Sequence, residues 1–143
     1  MNNFLKYHAP ALAYAALIIV VSSIERLAAP DIPWLSTDKL AHVLEYALFA
    51  FLFYRSFSHL KLLQKGALPT LSALLFLVLF AVSDELHQKY VEGRSAEALD
   101  VVADVLGGSL VILLMYRRKV KRRLEAGSAP LSAKRRTESE SAG

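Results

Sequence analysis

Four runs of apolar residues, each close to the length of a membrane-crossing helix, constrain this chain more than any other feature. They cover about residues 7–24, 40–57, 66–83 and 98–116. A hydrocarbon core takes roughly 17–25 residues of helix. The first run is uncharged over residues 11–21 and the third is uncharged throughout. The second carries His42 and Glu45 near its start, and the fourth carries Asp100 and Asp104. These two are marginal by hydropathy alone. Their polar groups must face protein or water, because a charge facing lipid at mid-depth costs at least about 2.5–3.5 kcal/mol. The expectation is an all-α membrane protein, a four-transmembrane-helix bundle over residues 1–116.

A soluble bundle is the wider alternative, but four long runs with almost no polar face argue against it. Apolar residues make up 55% of the chain, above the share of an ordinary soluble domain. The first run, with Lys6 before it, has the outline of a signal peptide. The small residues that follow it, Ala28 and Ala29, run straight into Pro30 with no Ala-x-Ala site, so an uncleaved helix is expected. With no cysteine in the chain, disulfides, Cys-bound metal and thiol catalysis are excluded.

The net charge of +4 would suit nucleic acid or lipid headgroups. Its placement favours lipid and a fixed orientation. Arg55, Lys61 and Lys65 lie between the second and third runs. Arg117, Arg118, Lys119, Lys121, Arg122 and Arg123 follow the fourth. The other connections hold only Arg26 and Lys39, then Lys89 and Arg94. The positive-inside rule therefore puts both termini and the middle connection in the cytoplasm. Trp34 and Tyr90 would mark the outer interface, and Tyr7, Tyr54 and Tyr116 the inner one. Residues 117–143 read as a basic stretch lying against anionic headgroups. From Gly127 onward the tail is expected to be disordered, being too poor in apolar residues to order itself.

In that orientation nearly every acid outside the tail falls on the outer side: Glu25, Asp31, Asp38, Glu45, Asp84, Glu85, Glu92, Glu97, Asp100 and Asp104. Three polar clusters result. In the first, Lys39, His42 and Tyr46 share a helix face, and Asp38 can reach His42. Ser36 or Asp38 would serve as N-cap. In the second, Asp84 and Glu85 stand at a helix C-terminus, where carboxylates oppose the macrodipole and need a reason. Gln88 is within a turn of both, and Glu92-Gly93 reads as a turn presenting Arg94, a fork suited to carboxylate or phosphate. In the third, Asp100 and Asp104 lie four apart, followed by Gly107-Gly108. Ala103 and Gly107 form a small-xxx-small pair that reads as helix packing.

The elements Asp38-Lys39-x-x-His42-x-x-x-Tyr46, Ser83-Asp84-Glu85-x-His87-Gln88, Gly93-Arg94-Ser95 and Asp100-x-x-x-Asp104-x-x-Gly107 together resemble the VanZ-like family of bacterial membrane proteins over residues 38–114. The resemblance implies a multi-pass protein of the bacterial inner (cytoplasmic) membrane. The family's namesake is associated with low-level resistance to the glycopeptide teicoplanin, so any link to antibiotic resistance reaches this chain by resemblance only. Family members often carry Asn where this chain has Asp104, which puts in doubt any role needing a neutral amide there.

Three functions fit the pattern. In the leading one, an outer-face site of Lys39, His42, Tyr46, Asp84, Glu85, Gln88, Arg94, Asp100 and Asp104 binds an anionic lipid or lipid-linked cell-envelope precursor. The partners are then membrane lipids, not nucleic acid. The second is a membrane-embedded enzyme acting on such a precursor, with His42 as acid or base and Asp84 or Glu85 as its partner. No Ser-nucleophile, metalloprotease or P-loop signature supports a particular reaction. The third is a structural polar network that fixes helix register. The residues name no cofactor. A cation held by His42, Asp84, Glu85 and Asp100 would be a hard one, given the oxygen ligands, though the spacing marks no metal site. A shared site requires His42 to lie near Asp84, Glu85 or Asp100.

Overall fold

The computed structural model describes residues 2–24, 37–94 and 96–127, the side chains of Thr37 and Asp38 excepted. Glu25, Arg26, the stretch through Ala28 and Pro30, Asp31, Trp34, Ser36, Ser95 and the tail beyond Gly127 lie outside the described residues, as does any cap from Asp38. Among the described residues there is no strand. Four α-helices follow in order: α1 (Ala9–Ser22), α2 (Thr37–His59), α3 (Leu68–Gln88) and α4 (Ala98–Gly127). A π-helical turn, Phe4–His8, leads into α1, and a 3-10 turn, Lys61–Leu63, follows α2.

Local chemistry accounts for the helix starts. Pro10 and Pro69 each stand in a first turn, where the missing N–H costs nothing. Before α1, Ala9 N–H reaches back to the Phe4 carbonyl, closing the wider turn. Gly66, at φ 53°, turns the chain from α2 into α3.

Among the described residues, three helical stretches are long and apolar enough to cross a membrane: Phe4–Ser22, Leu68–Gln88 and Ala98–Gly127. The last contains the most apolar membrane-length stretch of the three, not marginal as its acids suggested. Asp100 and Asp104 occupy its first two turns and leave residues 105–116 uncharged. α2 has the length but carries charge or imidazole at both ends.

Side-chain contacts fix the helix directions. His8 Nδ1 at the start of α1 meets Ser56 Oγ near the end of α2 at 2.7 Å. Ser22 at the end of α1 meets Asp84 near the end of α3 at 2.6 Å. Lys39 and His42 at the start of α2 meet Asp100 and Asp104 at the start of α4. α1 and α3 therefore run one way, and α2 and α4 the other. The acids gather at one end, and Lys6, Arg55, Lys61 and Lys65 at the opposite one.

Between α2 and α3 the core is aromatic. Phe49 and Phe80 lie 4.5 Å apart centroid to centroid, and Phe53 and Phe76 lie 4.7 Å apart, within the range where rings attract. Tyr54, expected at an interface, is buried instead, and its hydroxyl has no partner among the described residues. α4 packs by backbone. A Cβ on Gly107 would lie 2.7 Å from the Val43 carbonyl oxygen, and one on Gly108 would lie 2.6 Å from Leu77 Cδ1. Only glycine permits that approach. On the outside, Leu71, Leu75 and Leu79 form an exposed stripe at four-residue spacing. Such a surface suits lipid rather than water.

The chain falls into two compact units, residues 1–113 and 114–143. In the second, α4 continues past Tyr116, the expected end of the span, to Gly127. Arg, Lys, Leu and Glu, all good helix formers, carry it on, with Lys121 Nζ 3.8 Å from Glu125 one turn away.

Candidate functional site

Asp84, near the end of α3, is buried and accepts from three helices. Tyr46 of α2 donates its hydroxyl to Oδ2 at 3.1 Å, and Gln88 of α3 donates Nε2 to the same oxygen at 3.2 Å. The Ser22 hydroxyl of α1 lies 2.6 Å from Oδ1 and 2.9 Å from the Ile18 carbonyl, sharing its one proton. These donors give the acid in the last turn of the helix its partners.

Arg94 reaches this group through a turn. Gly93, at φ 77°, takes a left-handed conformation in the turn read from the sequence, and Arg94 N–H closes the turn on the Val91 carbonyl at 3.2 Å. The guanidinium then donates Nη2 to Val21 O at 3.0 Å, Nε to Ile24 O at 3.3 Å and Nη1 to Gln88 Oε1 at 3.2 Å. The Val21 carbonyl also accepts the Ile24 N–H at 3.1 Å, and the carbonyls at this end of α1 carry the negative pole of its dipole. Arg94 thus caps α1 while holding Gln88 toward Asp84.

A second set joins α2 to α4. Lys39 Nζ lies 2.6 Å from Asp100 Oδ1 and 3.2 Å from Glu97 Oε2. One turn along, His42 Nδ1 lies 3.1 Å from Asp104 Oδ1. Asp100 is buried and Asp104 is almost completely so. Glu85, also buried, accepts the Glu97 backbone N–H through Oε1, which ties the end of α3 to the entry of α4.

Beside Asp84 a cleft of about 240 Å³ opens between α1 and α3, lined by Ile19, Phe80, Ser83, Asp84 and His87. Its lining includes His87, whose Nε2 lies 2.9 Å from Ser23 Oγ. The surface the cleft exposes is almost wholly apolar.

All nine residues singled out from the sequence thus lie at one end of the helices, each with a partner there. His42 bonds Asp104, an acid it was not paired with from the sequence, and it also lies within electrostatic reach of Glu85. In the parallel register of α2 and α4, Lys39 takes Asp100 and His42 comes one turn further down, level with Asp104. No three His, Asp or Glu side chains among the described residues form a metal-ligand group, so the hard-cation alternative gains no support. Sequence reading missed Ser22, Ser23 and the backbone role of Glu97. Paired serines closing an apolar run, level with the acidic end of its neighbours, were the available signal.

An all-helical membrane protein that keeps charged side chains together within one end of its helices is the class these observations define. Within it, the chain belongs to the VanZ/LLP1 family, whose model matches residues 3–120. No curated protein and no solved structure matches the chain.

Proposed function

We propose that this protein crosses the bacterial inner membrane four times with both termini in the cytoplasm, and that its outer-face polar cluster binds an anionic lipid or lipid-linked cell-envelope precursor. The observation that carries the reading is the cleft between α1 and α3. Ile19 and Phe80 offer a wall for a hydrocarbon chain. Lys39 has three donors and gives two to Asp100 and Glu97. Arg94 has five and gives three. Both keep donors for an anion. Purified protein should retain a lipid in native mass spectrometry. Arg94→Lys keeps the charge but loses the fork, and should lower that retention about tenfold or more, one buried charge-assisted contact. Wild-type protein that retains no lipid, or a variant that retains as much, would overturn the reading. Resemblance adds a phenotype to examine, altered teicoplanin sensitivity on deletion.

One observation favours a second reading, a structural network. Asp84, Glu85, Asp100 and Asp104 all have partners within the protein. On that reading His42→Gln lowers thermal stability and leaves lipid retention unchanged; on the first it lowers retention.

A further inference from the structure

The opposite end of the helices carries its own unassigned arrangement. Tyr7, in the π-helical turn before α1, stacks on His59 at the end of α2, with centroids 3.5 Å apart and planes 10° from parallel. Two cations attend the same ring: Arg55 Cζ at 5.0 Å and Lys6 Nζ at 5.1 Å from its centre. Cation–π attraction explains each cation alone. It does not explain the pair, whose like charges fall within about one Debye length, about 10 Å at 0.1 M salt.

No acid among the described residues of 2–113 neutralises them at this end. Every Asp and Glu among the described residues of 2–113 belongs to the opposite half of the helices, and none occurs between Tyr46 and Ser83. His59 adds to the arrangement. Its Nδ1 lies 2.8 Å from the Arg55 carbonyl. A carbonyl only accepts, so Nδ1 carries the proton and the ring is held with Nε2 on its far side. Lys6 and His59 are exposed, and Tyr7 and Arg55 are half-buried. The group sits where α1 and α2 leave their apolar stretches, at headgroup depth for a helix that crosses a bilayer.

We infer that Lys6, Arg55 and His59, gathered on the Tyr7 ring, form a site for the phosphate-bearing headgroup of an anionic phospholipid. The headgroup supplies the missing negative charge: Arg55 grips it with the planar fork, Lys6 adds a mobile ammonium, and the adjacent apolar faces receive the acyl chains. This site is separate from the acidic end and independent of which side of the membrane either end faces.

The test uses full-length protein in a neutral detergent, with thermal stability and native mass spectrometry as readouts. Phosphatidylglycerol should raise the melting temperature and be retained in preference to phosphatidylcholine. Lys6→Gln with Arg55→Gln should cut that preference at least about tenfold, since each basic residue at an anionic surface is worth about fivefold. Lys61→Gln with Lys65→Gln removes equal charge from the nearby connection, away from Tyr7, and should leave the preference in place. If the first double variant fails to fold, Lys6→Gln alone, at an exposed position, should still cost about fivefold. Three results would each overturn the inference: no lipid preference in the wild type, equal loss in the two double variants, or the same stabilisation from inorganic phosphate at matched concentration.

Discussion

Asp84 is joined to more helices than any other side chain described at the acidic end, and its substitutions should rank by the number of donors they strand. Ser22→Ala removes one hydroxyl that already divides its proton between Asp84 and Ile18 O, and should cost about 1 kcal/mol. Asp84→Asn keeps the volume but puts an NH₂ where Oδ1 or Oδ2 stood, against Ser22 or against Tyr46 and Gln88. It should cost about 2 kcal/mol or more. Melting curves in detergent give the ranking, and equal losses would contradict a hub at Asp84. The sequence made this residue legible as an unusual acid but not as a hub. Tyr46 and Gln88 could be singled out by their spacing on their own helices. Ser22 lies 62 residues from its acid, and only the packing of α1 on α3 connects them.

At the scale of elements, the parallel run of α2 beside α4 sets the pairing. Lys39 with Asp100, His42 with Asp104 and Val43 with Gly107 advance together along both helices. Spacing along one helix predicted which residues share a face. It could not predict the register between two helices, which brings His42 to Asp104. The glycines that set the register give a paired prediction. Gly108→Ala pushes a methyl into the Leu77 side chain, and Gly107→Ala pushes one into the Val43 backbone carbonyl. Each should cost about 1–3 kcal/mol of stability by overpacking. Adding Leu77→Ala should recover part of the first loss, whereas Val43→Ala should not recover the second, since a backbone oxygen cannot be trimmed away. Double-mutant cycles on melting temperature read the difference. Loss of rescue at Gly108 would mean that helix backbones, not Leu77, limit the approach.

For the whole molecule, helix number and the gathering of polar residues at one end were legible, because both follow from hydropathy and from the ordering of charges along the chain. The length of α4 was not, because hydropathy marks where a membrane ends and says nothing of a helix that continues in water. Orientation can be read directly. Alkaline phosphatase fused after Arg26 or Glu92 should be active in the periplasm, and fused after Leu62 or Ala126 should not. Activity at Leu62 would reverse the topology and move the acidic cluster to the cytoplasmic face. The contacts of that cluster also impose an order on biosynthesis. Lys39 and His42 find their acids 61 and 62 residues later in the chain, and Ser22 waits as long for Asp84. When α1 and α2 have emerged from the ribosome, α2 carries a lysine and a histidine whose carboxylates do not yet exist, and a lone polar span is costly in lipid. On the proposed four-span topology, the polar start of the second helix gains its partners only once the fourth has been made.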